Sequence, residues 1–123
     1  MVESRVYFDE GGKWKMRNSL WYQAVYQGTG LTIELAGCFD GQDVFQIREI
    51  VATMYARGFS QVILDFDKVV SLGDEGLLVL YQSYDLARRS NRQFGIINPS
   101  PDVLQLLKQT QSERIIYTGE SRV

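Results

Sequence analysis

Gln61-Val62-Ile63-Leu64-Asp65-Phe66 constrains the fold more than any other segment. It is a continuous apolar run with a single acid, β-branched at its start and short. Such a run suits a strand covered on both faces. Its neighbours have a different period. Upstream, Val44, Ile47, Ile50, Val51, Met54 and Tyr55 recur at spacings of three and four, the stripe of an amphipathic helix. Asp43 stands where it can cap that helix, and Gly58 where it can end it. Downstream, a second helix runs from about Glu75 to Arg89. Leu77, Leu78, Val79, Leu80, Tyr81 and Tyr84 make it apolar nearly all round at its start, so it is expected to be buried against a sheet. Arg88 and Arg89 fall in its last turn, where cations suit the helix dipole.

A strand between two helices calls for further strands to complete crossover units, and the chain supplies them. Leu20 to Gln27 is rich in aromatic and β-branched residues, and Leu31 to Leu35 alternates strictly; Gly28-Thr29-Gly30 turns one into the other. Gly37 to Gln42 reads as a loop. Phe94 to Ile97 is the next strand. Ser100 followed by Pro101 fits an N-cap with proline in the first helical position, opening a short third helix with Val103, Leu104, Leu106 and Leu107. Ile115-Ile116-Tyr117 is expected as a last edge strand, and the tail from Gly119 to Val123 as frayed. Near the start, Arg5 to Phe8 and Lys13 to Met16 flank the turn residues Asp9 to Gly12, which suggests a small hairpin. The expected fold is a single α/β domain with a mixed, mostly parallel sheet and helices packed on it, plus an N-terminal hairpin extension. In this division residues 1–30 are the extension and residues 31–123 the domain proper.

Composition narrows the function. The chain has 123 residues and a net charge of −2, without the basic face that a nucleic-acid binder shows. There is no histidine, which removes the commonest general base, the commonest metal ligand and any Ser-His or Cys-His pair. A lone cysteine, Cys38, forms neither an intramolecular disulfide nor a multi-cysteine metal site. No apolar run is long enough to span a bilayer, and Met1 to Phe8 lacks the features of a signal peptide, so the expected location is the cytoplasm. Val62 to Asp67 has the look of an acidic strand end in a nucleotide hydrolase, but no phosphate-cradling loop accompanies it. Asp65 is expected to turn its carboxylate to neighbouring backbone N–H groups instead. No cofactor is expected and no enzyme. A sensor of small ligands or ions, using Asp40, Asp43, Asp65, Asp67, Asp74 and Glu75 as oxygen donors, is the alternative class.

The most unusual local feature is Val69 to Leu80, VVSLGDEGLLVL. An extended run stops at Gly73-Asp74-Glu75-Gly76 and a helical pattern starts at once. Two acids therefore sit at a helix start, where exposed N–H groups and the dipole favour negative charge. Asp74 is the expected N-cap, with Glu75 in the first turn.

From about Leu31 to Thr118 the chain resembles the STAS family, the domain shared by bacterial anti-sigma factor antagonists and the cytoplasmic parts of sulfate transporters. Leu35-Ala36-Gly37-Cys38-Phe39-Asp40 is similar to that family's L-x-G-x-L-D strand end. Val62 to Phe66 is similar to its central strand, and Asn98 to Val103 with Leu106-Leu107 to the start of its last helix. Val70 to Leu77 occupies the place of its hydrophobic-Asp-Ser-Ser-Gly-Leu segment. The resemblance implies a regulatory module that binds a protein partner, an anti-sigma factor that is also a serine kinase, and that is released when the first Ser of Asp-Ser-Ser-Gly is phosphorylated. Here Gly73 stands for the Asp, Asp74 for the phosphorylated Ser and Glu75 for the second Ser, while Gly76 is kept. Neither acid accepts a phosphoryl group as serine does. Phe39, Asp40, Gly73, Asp74, Glu75 and Gly76 are thus the candidate partner-binding residues, with the corner either a fixed imitation of the phosphorylated state or a surface retuned for another partner. Some relatives also imply a role as soluble partner of a membrane transporter. Trp14 and Trp21 lie largely outside the resemblance, where aromatics can cover the sheet edge or make a homodimer contact.

Overall fold

A computed structural model describes residues 6–8, 14–16 and 20–117. The strands are β1 (Val6–Phe8), β2 (Trp14–Met16), β3 (Leu20–Gln27), β4 (Gly30–Phe39), β5 (Gln61–Leu72) and β6 (Gln93–Ile97). The helices are α1 (Val44–Ala56), α2 (Asp74–Arg89) and α3 (Pro101–Gln109), followed by a 3-10 turn at Glu113–Ile115. One sheet runs in the order β1-β2-β3-β4-β5-β6. The pairs from β1 to β4 are antiparallel; β4 with β5 and β5 with β6 are parallel. Within β3 to β6 two of the three pairings are therefore parallel, and the short hairpin adds antiparallel strands at one edge. The Asp9–Gly12 turn and the Gly119–Val123 tail lie outside the described residues.

The period-two pattern sets the layers. Leu31, Ile33 and Leu35 of β4, Val62, Leu64 and Phe66 of β5, and Phe94 and Ile96 of β6 are all buried in one core. Two adjacent parallel crossovers progressing in one direction place α1 and α2 on the same face of the sheet when both are right-handed. The helices touch there, Arg48 Nη1 donating to Gln82 Oε1 over 2.8 Å. Val44, Ile47, Val51 and Tyr55 bury the predicted stripe of α1, and Gly58 follows it at φ 102°. Opposite, Gln23, Glu34 and Asp65 share the other face, and Gln23 Nε2 donates to Glu34 Oε1 at 3.1 Å.

Four local expectations are corrected. Gly37, Cys38 and Phe39 belong to β4 rather than to a loop. Gly37 adopts φ 103°, beside a register shift between Gly37 and Cys38, so a bulge bends the strand without ending it. Asp43 does not cap α1 through its side chain: it is already in helical backbone (φ −67°, ψ −22°), with its side chain buried. Ile115 to Tyr117 is not a strand. Ser112 closes a tight turn by donating its N–H to Leu107 O at 2.7 Å, leaving only an isolated bridge from Ile116 to Ile96. Finally, α2 is not covered all round, since Leu78 and Tyr81 are exposed.

Candidate functional site

The acidic corner forms where the ends of β4 and β5 meet the start of α2. Parallel pairing sets Phe39 beside Leu72, and the Gly73 N–H then donates to the Phe39 carbonyl at 3.2 Å. Phe39 itself is fully buried, its ring 5.2 Å from that of Phe66. The strand end is thus anchored in the core while its carbonyl holds the helix entry.

Gly73, not Asp74, is the N-cap, with extended backbone (φ −103°, ψ −171°) and no side chain to offer. Asp74 and Glu75 both lie in the first turn. That placement still suits the dipole, but it leaves their carboxylates directed by the first turn rather than folded back as a cap. Asp40 joins them: a Cβ at Gly73 would overlap the Asp40 carboxylate. Asp40 and Asp74 are exposed and Glu75 is half-buried, so three carboxylates face outward at one helix end. Gly76 is needed for close approach, because a Cβ there would run into the Phe39 carbonyl oxygen and lie 2.7 Å from the Phe39 ring.

All six candidate residues therefore converge, with a division of labour. Phe39 and Gly76 are buried and position the corner; Asp40, Asp74 and Glu75 form its surface, and Gly73 makes room for Asp40. Val70 and the exposed Leu78 add apolar surface on either side in sequence, Val70 being 68% exposed. Neither stood out in the sequence. Val70 sits in an apolar-looking stretch, and only the twelve-residue length of β5, running past the core, shows that it projects outward.

The other acids do not gather here. Asp65 Oδ1 accepts from the Asp67 N–H at 3.0 Å and from Asn98 Nδ2 at 3.1 Å, which bears out its expected turn toward nearby donors. Among the described residues no group of three or more Cys, Asp or Glu side chains is arranged to hold a metal ion. No helix of the described residues is long and apolar enough to cross a membrane. Cys38 is a free, half-buried thiol.

A mixed sheet with α1 and α2 over one face and an exposed corner at a helix start defines a single α/β domain. The family model for the STAS domain matches residues 22–123, and the chain belongs to that family. The match begins inside β3. Among solved structures, the unphosphorylated form of the anti-sigma factor antagonist SpoIIAA superposes with a TM-score of 0.70 at 19% identity, covering 78% of this chain and 85% of that one. The phosphorylated form of the Bacillus cell fate determinant SpoIIAA gives 0.65 at 18% identity, covering 78% and 88%. An anti-sigma factor antagonist from Mycobacterium paratuberculosis gives 0.69 at 15% identity, covering 83% and 86%. No curated protein sequence matched the chain. At these identities the superpositions establish the fold.

Proposed function

We propose that the protein is a non-catalytic interaction module that docks a protein partner through the acidic corner, in the manner of an anti-sigma factor antagonist but without the phosphorylatable serine. The observation that carries this reading is the convergence of Asp40, Asp74 and Glu75 over the first turn of α2, held by the Phe39 carbonyl and by Gly76. A phosphoserine brings about −1.5 to −2 charges and three acceptor oxygens. Asp74 with Glu75 brings a similar charge to the same helix end permanently. The corner then imitates the phosphorylated, released state, so that a partner of the anti-sigma factor and serine kinase type is held only weakly. The module works in the cytoplasm, in the regulation of transcription by partner switching.

The test is a pull-down from lysate of the source organism with wild type, Asp74→Ser and Asp74→Ser/Glu75→Ser, with and without ATP, read by mass spectrometry. The expected outcome is a kinase-like anti-sigma factor held by the serine variants and weakly by wild type, with ATP releasing it and leaving phosphate on residue 74. A partner held by wild type and lost by the variants makes the acids direct recognition elements. Identical captures from all three proteins reduce the corner to a helix start and end this reading.

A further inference from the structure

The far half of α2 carries a second surface of opposite charge. Two confluent grooves, of about 310 and about 270 Å³, lie between α2, the outer side of β6 and the turn that follows α3. Both are lined by Tyr84, Arg88 and Arg114; Tyr81 adds to one, Arg92 and Tyr117 to the other. Among the described residues no carboxylate lines either groove, although the chain as a whole is acidic.

Most other arginines near helices are already engaged. Arg89 pairs with Asp85 at 2.8 Å, Arg48 bonds Gln82 and pairs with Glu49, and Arg92 donates to the Phe59 carbonyl while lying over the Tyr55 ring. Arg88 and Arg114 are exposed, and their side chains make no ion pair or hydrogen bond among the described residues. They come from different elements and converge on one groove. Its wall is ordered in advance: the Tyr81 hydroxyl and Ser112 Oγ are 2.6 Å apart, and Ser112 Oγ and Thr110 Oγ1 2.9 Å. Tyrosines that present a flat apolar body beside arginines are the composition of a docking surface.

We propose that this groove docks an acidic, extended segment of a protein partner. Guanidinium groups take carboxylates bidentately, and two on separate elements read two acids spaced along a chain. The surface is distinct from the acidic corner: fourteen residues of helix separate Asp74 from Arg88, about 21 Å along the axis. The inference therefore stands or falls apart from the proposed function.

Fluorescence anisotropy with a fluorescein-labelled peptide of Asp and Glu around a central Phe tests it. Arg88→Ala and Arg114→Ala each weaken binding about fivefold, and the double variant about twentyfold or more, with added salt weakening wild type in the same direction. Arg57→Ala, which removes an exposed charge at the end of α1, leaves the affinity unchanged. Circular dichroism confirms that the variants fold. Equal binding by wild type and the double variant overturns the proposal, as does a loss for Arg57→Ala equal to that for Arg88→Ala. Displacement of the peptide by an equal concentration of inorganic phosphate also overturns it, because the groove is then a small-anion site.

Discussion

At the scale of single residues, the corner depends on two glycines that look alike in sequence and do different work. Gly76 sits under the Phe39 carbonyl, which is backbone and part of the paired β4 strand. Nothing there can yield without breaking the Gly73 to Phe39 hydrogen bond or displacing a buried aromatic. Gly76→Ala is therefore expected to cost about 2 kcal/mol or more, with a fall in Tm of roughly 8 °C. The atoms nearest a Cβ at Gly73 are those of the Asp40 carboxylate, the free end of an exposed side chain that can swing away. Gly73→Ala loses a favourable N-cap residue, its nearest clash being with that movable carboxylate, and is expected to cost less than about 1 kcal/mol. Thermal melts of the two variants check the contrast. Equal losses would mean that the close approach of Phe39 to α2 does not hold in solution.

At the scale of elements, two of the three expected helix caps, Ser100 and Asp43, came out differently. Ser100 caps α3: its backbone is extended (φ −66°, ψ 164°), its Oγ accepts from the Val103 N–H at 3.2 Å, and Pro101 follows at the first helical position. Ser100→Ala is expected to destabilise the fold by about 1 kcal/mol, visible as a shifted urea midpoint with an unchanged slope. A change in slope instead would mean that α3 unfolds separately. Asp43 has the right side chain for a cap, but the turn begins early, with Val44 N–H donating to Gly41 O and Gln46 N–H to Asp43 O. Capping is a backbone conformation before it is a residue type, and residue type is what a sequence displays. The helix stripes and the short β-branched run at Val62 were legible because burial imposes a strict period. The length of β4 was not, since a bulge at Gly37 has the composition of a loop. Nor was the turn at Ser112, where local hydroxyl bonds compete with strand pairing that the apolar Ile115-Ile116 would otherwise favour. The acidic corner could be located in sequence, but the approach of Asp40 to Gly73 depends on parallel register between β4 and β5. The arginine groove gave no signal, because its members are separated along the chain.

At the scale of the whole molecule, two tyrosines tie stability to alkaline pH. Tyr55 closes α1 against the sheet, its hydroxyl donating to Gln93 O at 2.6 Å. Burial raises its pKa well above the ordinary value of 10.0, with the Arg92 guanidinium opposing part of the rise. Burial raises that of Tyr22 as well, helped by Tyr26. In the unfolded chain both phenols ionise near the ordinary value. Below it both states are protonated and the contribution of each tyrosine is fully present. As pH climbs above it, the unfolded chain loses protons that the folded protein retains, and stability falls until the folded phenol ionises too. Each group contributes a slope of up to about 1.4 kcal/mol per pH unit across that window. Tyr55→Phe keeps the ring in the core and removes one titrating group. At pH 8 it is expected to be less stable than wild type by about 1 kcal/mol, for the lost hydrogen bond. Above pH 10 the gap closes, because wild type loses stability faster than the variant. The two proteins differ at this one residue, so the difference between their guanidinium midpoints isolates Tyr55. A gap that stays constant from pH 8 into this range would show that Tyr55 ionises as easily in the folded protein as in the unfolded chain, and that the end of α1 is open to water.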